Sequence, residues 1–338
     1  MFISPNLNKF KALFAEKLRS MLSPDELGAF ILVLSNSMQN KESQTNLKKD
    51  LMSMFVELND KLKAGELKAT EDDLEVFEKI KKKGIGSISV WQGIEQGEWE
   101  LLYNPMRVLR PARASSEKVE NIFCEFDNGK FNFNKPFLRP EILWQGEYRD
   151  VPLRVLYNKF PFAPYHLIIV PQPDLELAQY ILKEHHELIW QLVAEQSDVF
   201  TGFGIGYNSL GACASVNQLH FQSFIQENQL PIEKALWLHN GGRHEYPMVC
   251  IKTLSSDECW AVIEKFHKDN QPYNLLYRKG CCYVLPRQMQ GSDQVAERVQ
   301  GAGWIEECGV FNVVSVKFGK SLTAELLYSD LKSLSVGN

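Results

Sequence analysis

The 338 residues contain no two cysteines at Cys-x-x-Cys spacing, no apolar run that approaches a membrane span and no excess of positive charge. Each absence removes a class of function. The seven cysteines, Cys124, Cys213, Cys250, Cys259, Cys281, Cys282 and Cys308, are scattered, which is the usage of a reducing compartment. They offer no zinc site by spacing and read as small buried hydrophobes. A membrane helix needs about 18 consecutive apolar residues, and the opening MFISPNLNKFKALFAEKLRSML carries charges too often for a signal peptide. Lys and Arg total 37 against 42 Asp and Glu, a formal net charge of -5. A nucleic-acid partner held by a basic surface is therefore not expected. No strict internal repeat is visible. What remains is a cytoplasmic globular chain without metal or cofactor, 44% hydrophobic and long enough for more than one domain.

The stretch that organises the chain is Gly202 to Phe224, centred on Gln218-Leu219-His220-Phe221-Gln222. If this run is a strand, the imidazole and both carboxamides share one face, because side chains alternate. Such a face suits a phosphate. A neutral imidazole, with a reference pKa of roughly 6.5, is one of the few side chains able to attack phosphorus near neutral pH. His220 is thus the candidate nucleophile.

From Asn6 to about Gly84 apolar residues recur at helical spacing, as in Phe10, Leu13, Phe14, Leu18 and Met21. Ser23-Pro24-Asp25-Glu26 reads as an N-cap opening a second helix through Leu34. Two further helices are expected at Leu47 to Leu62 and Glu71 to Ile80. The basic run Lys79 to Lys83 reads as a solvated last turn. After a boundary between about Lys83 and Ala114, strands are expected around Ile88 to Trp91 and Trp99 to Tyr103. Asn128-Gly129 marks a tight turn, and Phe131-Asn132-Phe133-Asn134 alternates ring and amide. That strip suits a nucleobase held by Asn132 and Asn134, or a half-buried strand, and the pattern favours neither.

Strands at Leu153 to Tyr157 and His166 to Val170 flank a Pro-rich loop with Asn158 and Lys159. A helix is expected from Leu175 to about Gln196, with His185 and His186 as surface histidines lacking a third ligand. Strands at Val199 to Tyr207 and Val216 to Phe224 complete this half. Beyond it, strands are expected at Pro247 to Thr253, Tyr273 to Leu276, Cys281 to Leu285 and Val310 to Lys317, and helices at Ser256 to Lys268 and Leu322 to Leu334. His239, Arg243 and His244 lie in a Gly-rich loop and receive no role.

The runs Gly206-Tyr207-Asn208-Ser209-Leu210-Gly211-Ala212, Asn217 to Gln222 and Pro231-Ile232-Glu233-Lys234-Ala235 resemble the active-site region of the GDP-L-galactose and GDP-D-glucose phosphorylases. These belong to the nucleotidyltransferase branch of the histidine triad superfamily. Lys130 to Lys135 is similar to a segment upstream of that family's catalytic region, and Phe162 to Pro171 to its strand and following proline. The likeness covers roughly Leu109 to Val316. It implies an α+β fold of histidine triad and uridylyltransferase type, with antiparallel sheets and packed helices, preceded here by a helical N-terminal domain. The implied division is residues 1–85 as helical accessory domain, 86–245 as catalytic half and 246–338 as a second half without the histidine motif.

By position, the resemblance implies His220 as nucleophile, Gln222 as phosphate-contacting glutamine and His166 as the histidine beside the nucleophile. By likeness to the galactose-1-phosphate uridylyltransferases, Ser215 and Asn208 match phosphate-binding positions. Gln218 departs from the pattern, standing where the first histidine of His-x-His-x-Gln is expected. With no paired cysteines, it speaks against a zinc site. Gln218 remains a hydrogen-bonding member of the site that cannot carry an imidazolium charge.

The chemistry open to these residues is attack by His220 on the α-phosphorus of a nucleoside diphosphate sugar, GDP-hexose favoured. A nucleotidyl-histidine forms, a sugar 1-phosphate leaves, and inorganic phosphate or another acceptor completes the transfer. The leaving group is already a weak base, so glutamine suffices where a hydrolase needs an acid. Lys159 is expected near the pyrophosphate and Arg287, more weakly, at the acceptor phosphate. A diadenosine polyphosphate phosphorylase or nucleotide hydrolase would use the same nucleophile. A non-catalytic nucleotide-binding protein, silenced at Gln218, is the reading outside enzymes. A homodimer is compatible with each.

Overall fold

The computed structural model describes residues 2–23, 26–110 and 119–337. Four helices come first: α1 (Leu7–Ser20), α2 (Leu27–Ser37), α3 (Lys41–Ala64) and α4 (Glu71–Lys83). The Asn6 side chain caps α1 by accepting from the Lys9 amide, and Phe10, Phe14 and Leu18 form its buried stripe. Every residue of α2 except Gly28 is buried. It packs against α3 and α4 and abuts the Asn158–Tyr165 loop, where the Asn36 amide donates to the Asn158 carbonyl at 2.9 Å. The helix starts at Leu27, where the apolar run starts, and no side chain caps it. Ser23 is no cap, while Pro24 and Asp25 lie outside the described residues.

After α4 come β1 (Gln92–Gln96), β2 (Trp99–Tyr103) and α5 (Pro105–Leu109). The expected strand around Ile88 is absent because the Trp91 amide donates instead to the Met38 carbonyl. The middle of the chain supplies β3 (Ile142–Tyr148), β4 (Val151–Tyr157), β5 (Leu167–Pro171), α6 (Lys183–Val199), β6 (Phe203–Asn208) and β7 (Phe221–Ile225). The remainder gives β8 (Ile251–Thr253), α7 (Ser256–Lys268), β9 (Tyr273–Arg278), β10 (Cys281–Pro286), α8 (Trp304–Glu307), β11 (Val310–Val313), α9 (Val316–Ser321) and α10 (Ala324–Leu334).

Eight strands form one antiparallel sheet in the order β3-β4-β5-β7-β6-β9-β10-β8. Strands on both sides of residue 245 therefore share a single sheet. Alternation divides its faces. Ile205, Phe221, Leu275 and Val284 join one core with α6, α7 and the four N-terminal helices. Phe224, Leu276 and Leu285 join another with Trp304, α10 and the small sheet β1-β2-β11.

Several boundaries move for reasons visible in the hydrogen bonding. The helix expected from Leu175 begins at Lys183, because residues 177–179 lie against the loop before His220: Leu219 N–H donates to the Leu177 carbonyl and Gln179 N–H to Asn217 Oδ1. The long strand expected from Val216 is only β7, since Asn217 donates to the Cys124 and Glu125 carbonyls. Phe131 to Asn134 is a loop and turn, not a strand. The expected strand to Lys317 ends at Val313, and Ser315 caps α9.

Candidate active site

His220 stands just before β7, at the end of the loop that leaves β6, and is 4% exposed. Its Nδ1 lies 2.7 Å from the Gln218 carbonyl oxygen. A carbonyl only accepts, so Nδ1 carries the proton and the lone pair sits on Nε2. Burial holds the imidazole pKa down at about 4, against a small opposing effect of the Gln218 carbonyl. The ring is therefore neutral at pH 7. Its backbone is clamped by Gln179, whose Oε1 accepts from His220 N–H at 2.8 Å while its amide donates to the His220 and Asn208 carbonyls. The Phe133 ring packs 5.0 Å from the imidazole.

His166, the residue before β5, is fully buried. Its Nδ1 accepts from Phe162 N–H at 3.3 Å, and the Asn158 amide nitrogen lies 3.4 Å from its Nε2. The ring lies beside Gln222 and within electrostatic reach of His220. Burial first, then the Arg107 guanidinium, hold its pKa at about 3. Pairing of β7 with β5 and β6 puts Gln222 opposite Ile168 and Gly206. Its Oε1 accepts from the Trp304 indole at 2.7 Å. Asn208, at the end of β6, is 8% exposed, and its Oδ1 accepts from Trp304 N–H at 2.8 Å and from the Asn274 amide. His166, His220, Gln222 and Asn208 thus converge.

The other expected members behave differently. Gln218 does not share a strand face with His220. It is buried, its Oε1 accepts from Phe133 N–H at 2.7 Å, and its amide reaches the Pro173 carbonyl. Asn132 Oδ1 accepts from Asn134 N–H, and Asn134 donates to the Pro173 carbonyl. The three amides shape the turn that lays Phe133 on His220. Ser215 is exposed in the preceding loop. Lys159 pairs with Asp73 of α4 at 2.5 Å, tying the accessory helices to the loop before His166. Arg287 is fully buried against Glu307 at 3.0 Å and the Ala302 carbonyl, out of reach of an acceptor phosphate. His185 and His186 are buried, not surface residues, and both act structurally.

Three neighbours of the site escaped the sequence reading: Gln179, Arg107 and Trp304. Gln179 was concealed by the helical pattern of its segment. Arg107 follows Asn104-Pro105, an N-cap and first-turn proline, and its guanidinium lies 4.6 Å from the Phe162 ring centre. Only the small residues Gly301-Ala302-Gly303 hint that the chain before Trp304 approaches something closely. Among the described residues no three His, Cys, Asp or Glu side chains group as metal ligands, and no helix is long and apolar enough to cross a membrane.

Residues 97–224, which carry His166, Asn208, His220 and Gln222, match the family model described as GDPGP1-like, N-terminal domain. The chain resembles the GDP-hexose phosphorylases. Human GDP-D-glucose phosphorylase 1 is 32% identical over 132 residues, 36% of this chain and 33% of the relative. Arabidopsis thaliana GDP-L-galactose phosphorylase 2 is 32% identical over 142 residues, 36% of this chain and 32% of the relative. The chain spans about a third of the length of these relatives. Among solved structures, yeast Ap4A phosphorylase Apa2 in complex with AMP superposes with a TM-score of 0.51 at 16% identity, over 78% of this chain and 96% of that one. The Ap4A complex of the same yeast protein covers 79% and 98%, also at a TM-score of 0.51. The α+β, histidine triad-like architecture expected from the sequence is the one present.

Proposed function

We propose that this chain is a nucleotidyltransferase that phosphorolyses a nucleoside diphosphate sugar, with GDP-hexose the favoured substrate. The observation that carries the reading is the 2.7 Å bond from His220 Nδ1–H to the Gln218 carbonyl, which leaves Nε2 as a lone pair beside Gln222. In the first step Nε2 bonds to the α-phosphorus and the bond to the bridging oxygen breaks. The sugar 1-phosphate departs with that electron pair and needs no proton. In the second, an oxygen of inorganic phosphate attacks the same phosphorus, releasing a nucleoside diphosphate and restoring the neutral histidine. Gln222 and Asn208 are the proposed donors to the phosphoryl oxygens, and Arg107 replaces Lys159 as the nearby cation. The relatives, matched over the segment bearing these residues, support the GDP-sugar assignment.

In this reading residues 1–85 brace the loop that presents His166, residues 86–245 carry the chemistry, and residues 246–338 complete the sheet. The compartment proposed is a reducing cytoplasm, in keeping with seven unpaired cysteines. Incubation with GDP-glucose, GDP-mannose, UDP-glucose and diadenosine tetraphosphate, with and without phosphate, tests the assignment. Phosphate-dependent release of GDP, with a mass gain of one guanylyl group on His220 when phosphate is omitted, is the expected result. Release only from diadenosine tetraphosphate would move the protein to the polyphosphate substrates, and no release from any would refute catalysis.

A further inference from the structure

Trp304 lies 82 residues beyond Gln222 and reaches the site from the far side of the sheet's second core. It is fully buried, stacked on Phe224 with ring centres 5.1 Å apart and packed near Phe162. Its ring rests on Gly206 of β6 so closely that a β-carbon there would stand 2.2 Å from it. A residue pressed this hard onto a glycine has a fixed plane, and its two N–H groups have fixed directions. The indole N–H meets Gln222 Oε1 at 2.7 Å, and the backbone N–H meets Asn208 Oδ1 at 2.8 Å.

An indole only donates, so the carboxamide atom facing it is oxygen, and the same holds for the atom facing a backbone amide. Asn274 adds a second donor to Asn208. Both carboxamides are thereby turned with their oxygens inward. Their NH2 groups donate to nothing among the described residues. Gly303 keeps space beside the Asn208 amide, since a β-carbon there would sit 3.1 Å from Nδ2. A carboxamide free to flip would present its oxygen to a phosphoryl oxygen half of the time, and that contact is repulsive.

We propose that Trp304 is a positioning residue that sets the polarity of the phosphate-binding amides, holding the oxygens of Gln222 and Asn208 so that their NH2 groups face the transferred phosphoryl group. The inference rests on the function proposed above and adds to it a specific device supplied by the second half of the chain. The bonded oxygens also draw electron density from the amide nitrogens, so the donors facing substrate are strengthened.

The test is a set of variants read two ways. Trp304→Phe keeps the ring on Gly206 and Phe224 and the backbone N–H to Asn208, and loses only the indole N–H. With GDP-glucose and phosphate it is expected to lower kcat about 10- to 100-fold with KM changed less than about threefold. In a Gln222→Leu background the same change should cost less than twofold, while combined with Asn208→Ala the losses should multiply. A Trp304→Phe enzyme within twofold of the parent, or losses that multiply with Gln222→Leu, would overturn the inference. The second readout is the heteronuclear NOE of the Gln222 side-chain amide in the 15N-labelled full chain, assigned by its loss in Gln222→Leu. It should be rigid in the parent and mobile in Trp304→Phe. If the parent turns over none of the nucleotides, the proposed function fails alone, and the NOE decides the positioning: equal rigidity in both proteins refutes it.

Discussion

Two buried histidines, His220 and His186, occupy superficially equivalent surroundings and use their nitrogens differently. Both are almost without solvent contact, and burial lowers the pKa of both. His186 spends both nitrogens. Its Nδ1 accepts from the Tyr277 hydroxyl at 2.9 Å, and its Nε2–H faces the Ser256 carbonyl and hydroxyl at 3.0 Å. His220 spends only Nδ1. Depressed basicity therefore does not distinguish a reactive imidazole from a core one. What distinguishes them is whether a lone pair is left over and what stands beside it.

Replacing each histidine tests this contrast most sharply. His220→Ala should lower turnover to below about a thousandth while nucleotide affinity, measured by calorimetry, stays within about tenfold. His186→Ala should retain kcat yet cost about 2–4 kcal/mol of stability in urea titration, because a cavity and two stranded hydrogen-bonding groups remain. If His186→Ala were the inactive one, the contrast would be reversed.

Gln218→His comes next. The replacement would restore the histidine expected from related sequences, but the carboxamide here accepts from Phe133 N–H and donates to Pro173. A loss of turnover of about 10-fold or more is expected, and an unchanged or raised rate would show that the Phe133 turn does not depend on it. The pH profile follows from the direction of the His220 shift. With the folded imidazole titrating near 4, the acid limb of kcat/KM assigned to this group should lie well below 6.5. Stability falls in the same direction but in a higher window: the unfolded chain takes up the proton below about 6.5 and the folded one does not until near 4, so this group lowers stability as pH falls across that window. The smallest effect is at Lys159. Its bridge to Asp73 is mostly shielded, with side chains 26% and 13% exposed, and since it braces a loop, Lys159→Ala should leave KM for phosphate within twofold.

The same contrast explains what was readable in the sequence. Helix α7 and strands β9 and β10 are governed by local periodicity, and the expected ranges hold to within a residue or two. The convergence of His220, Gln222 and Asn208 was legible because they cluster within fifteen residues. Gln218 looked like a third member of a strand face. It turns away because its partners, Phe133 and Pro173, come from segments 85 and 45 residues distant. His186 looked like a surface residue because the helix pattern does not reveal Tyr277 or Ser256. Lys159 and Arg287 were read as phosphate ligands from charge alone, whereas their partners Asp73 and Glu307 are set by tertiary packing. Trp304 left only the hint of the small residues before it, since its meaning lies in Gly206 and Gln222.

Helix α2 has a consequence for how this protein can change over time. A helix with water on one side can be trimmed, grafted or lost while its neighbours close over the scar. One sealed in on every side, tied to the Asn158 carbonyl at its end, leaves a hole in whatever it abandons. Substitutions that shrink α2 side chains should therefore be tolerated less than equal changes on the exposed faces of α1, α3 and α4.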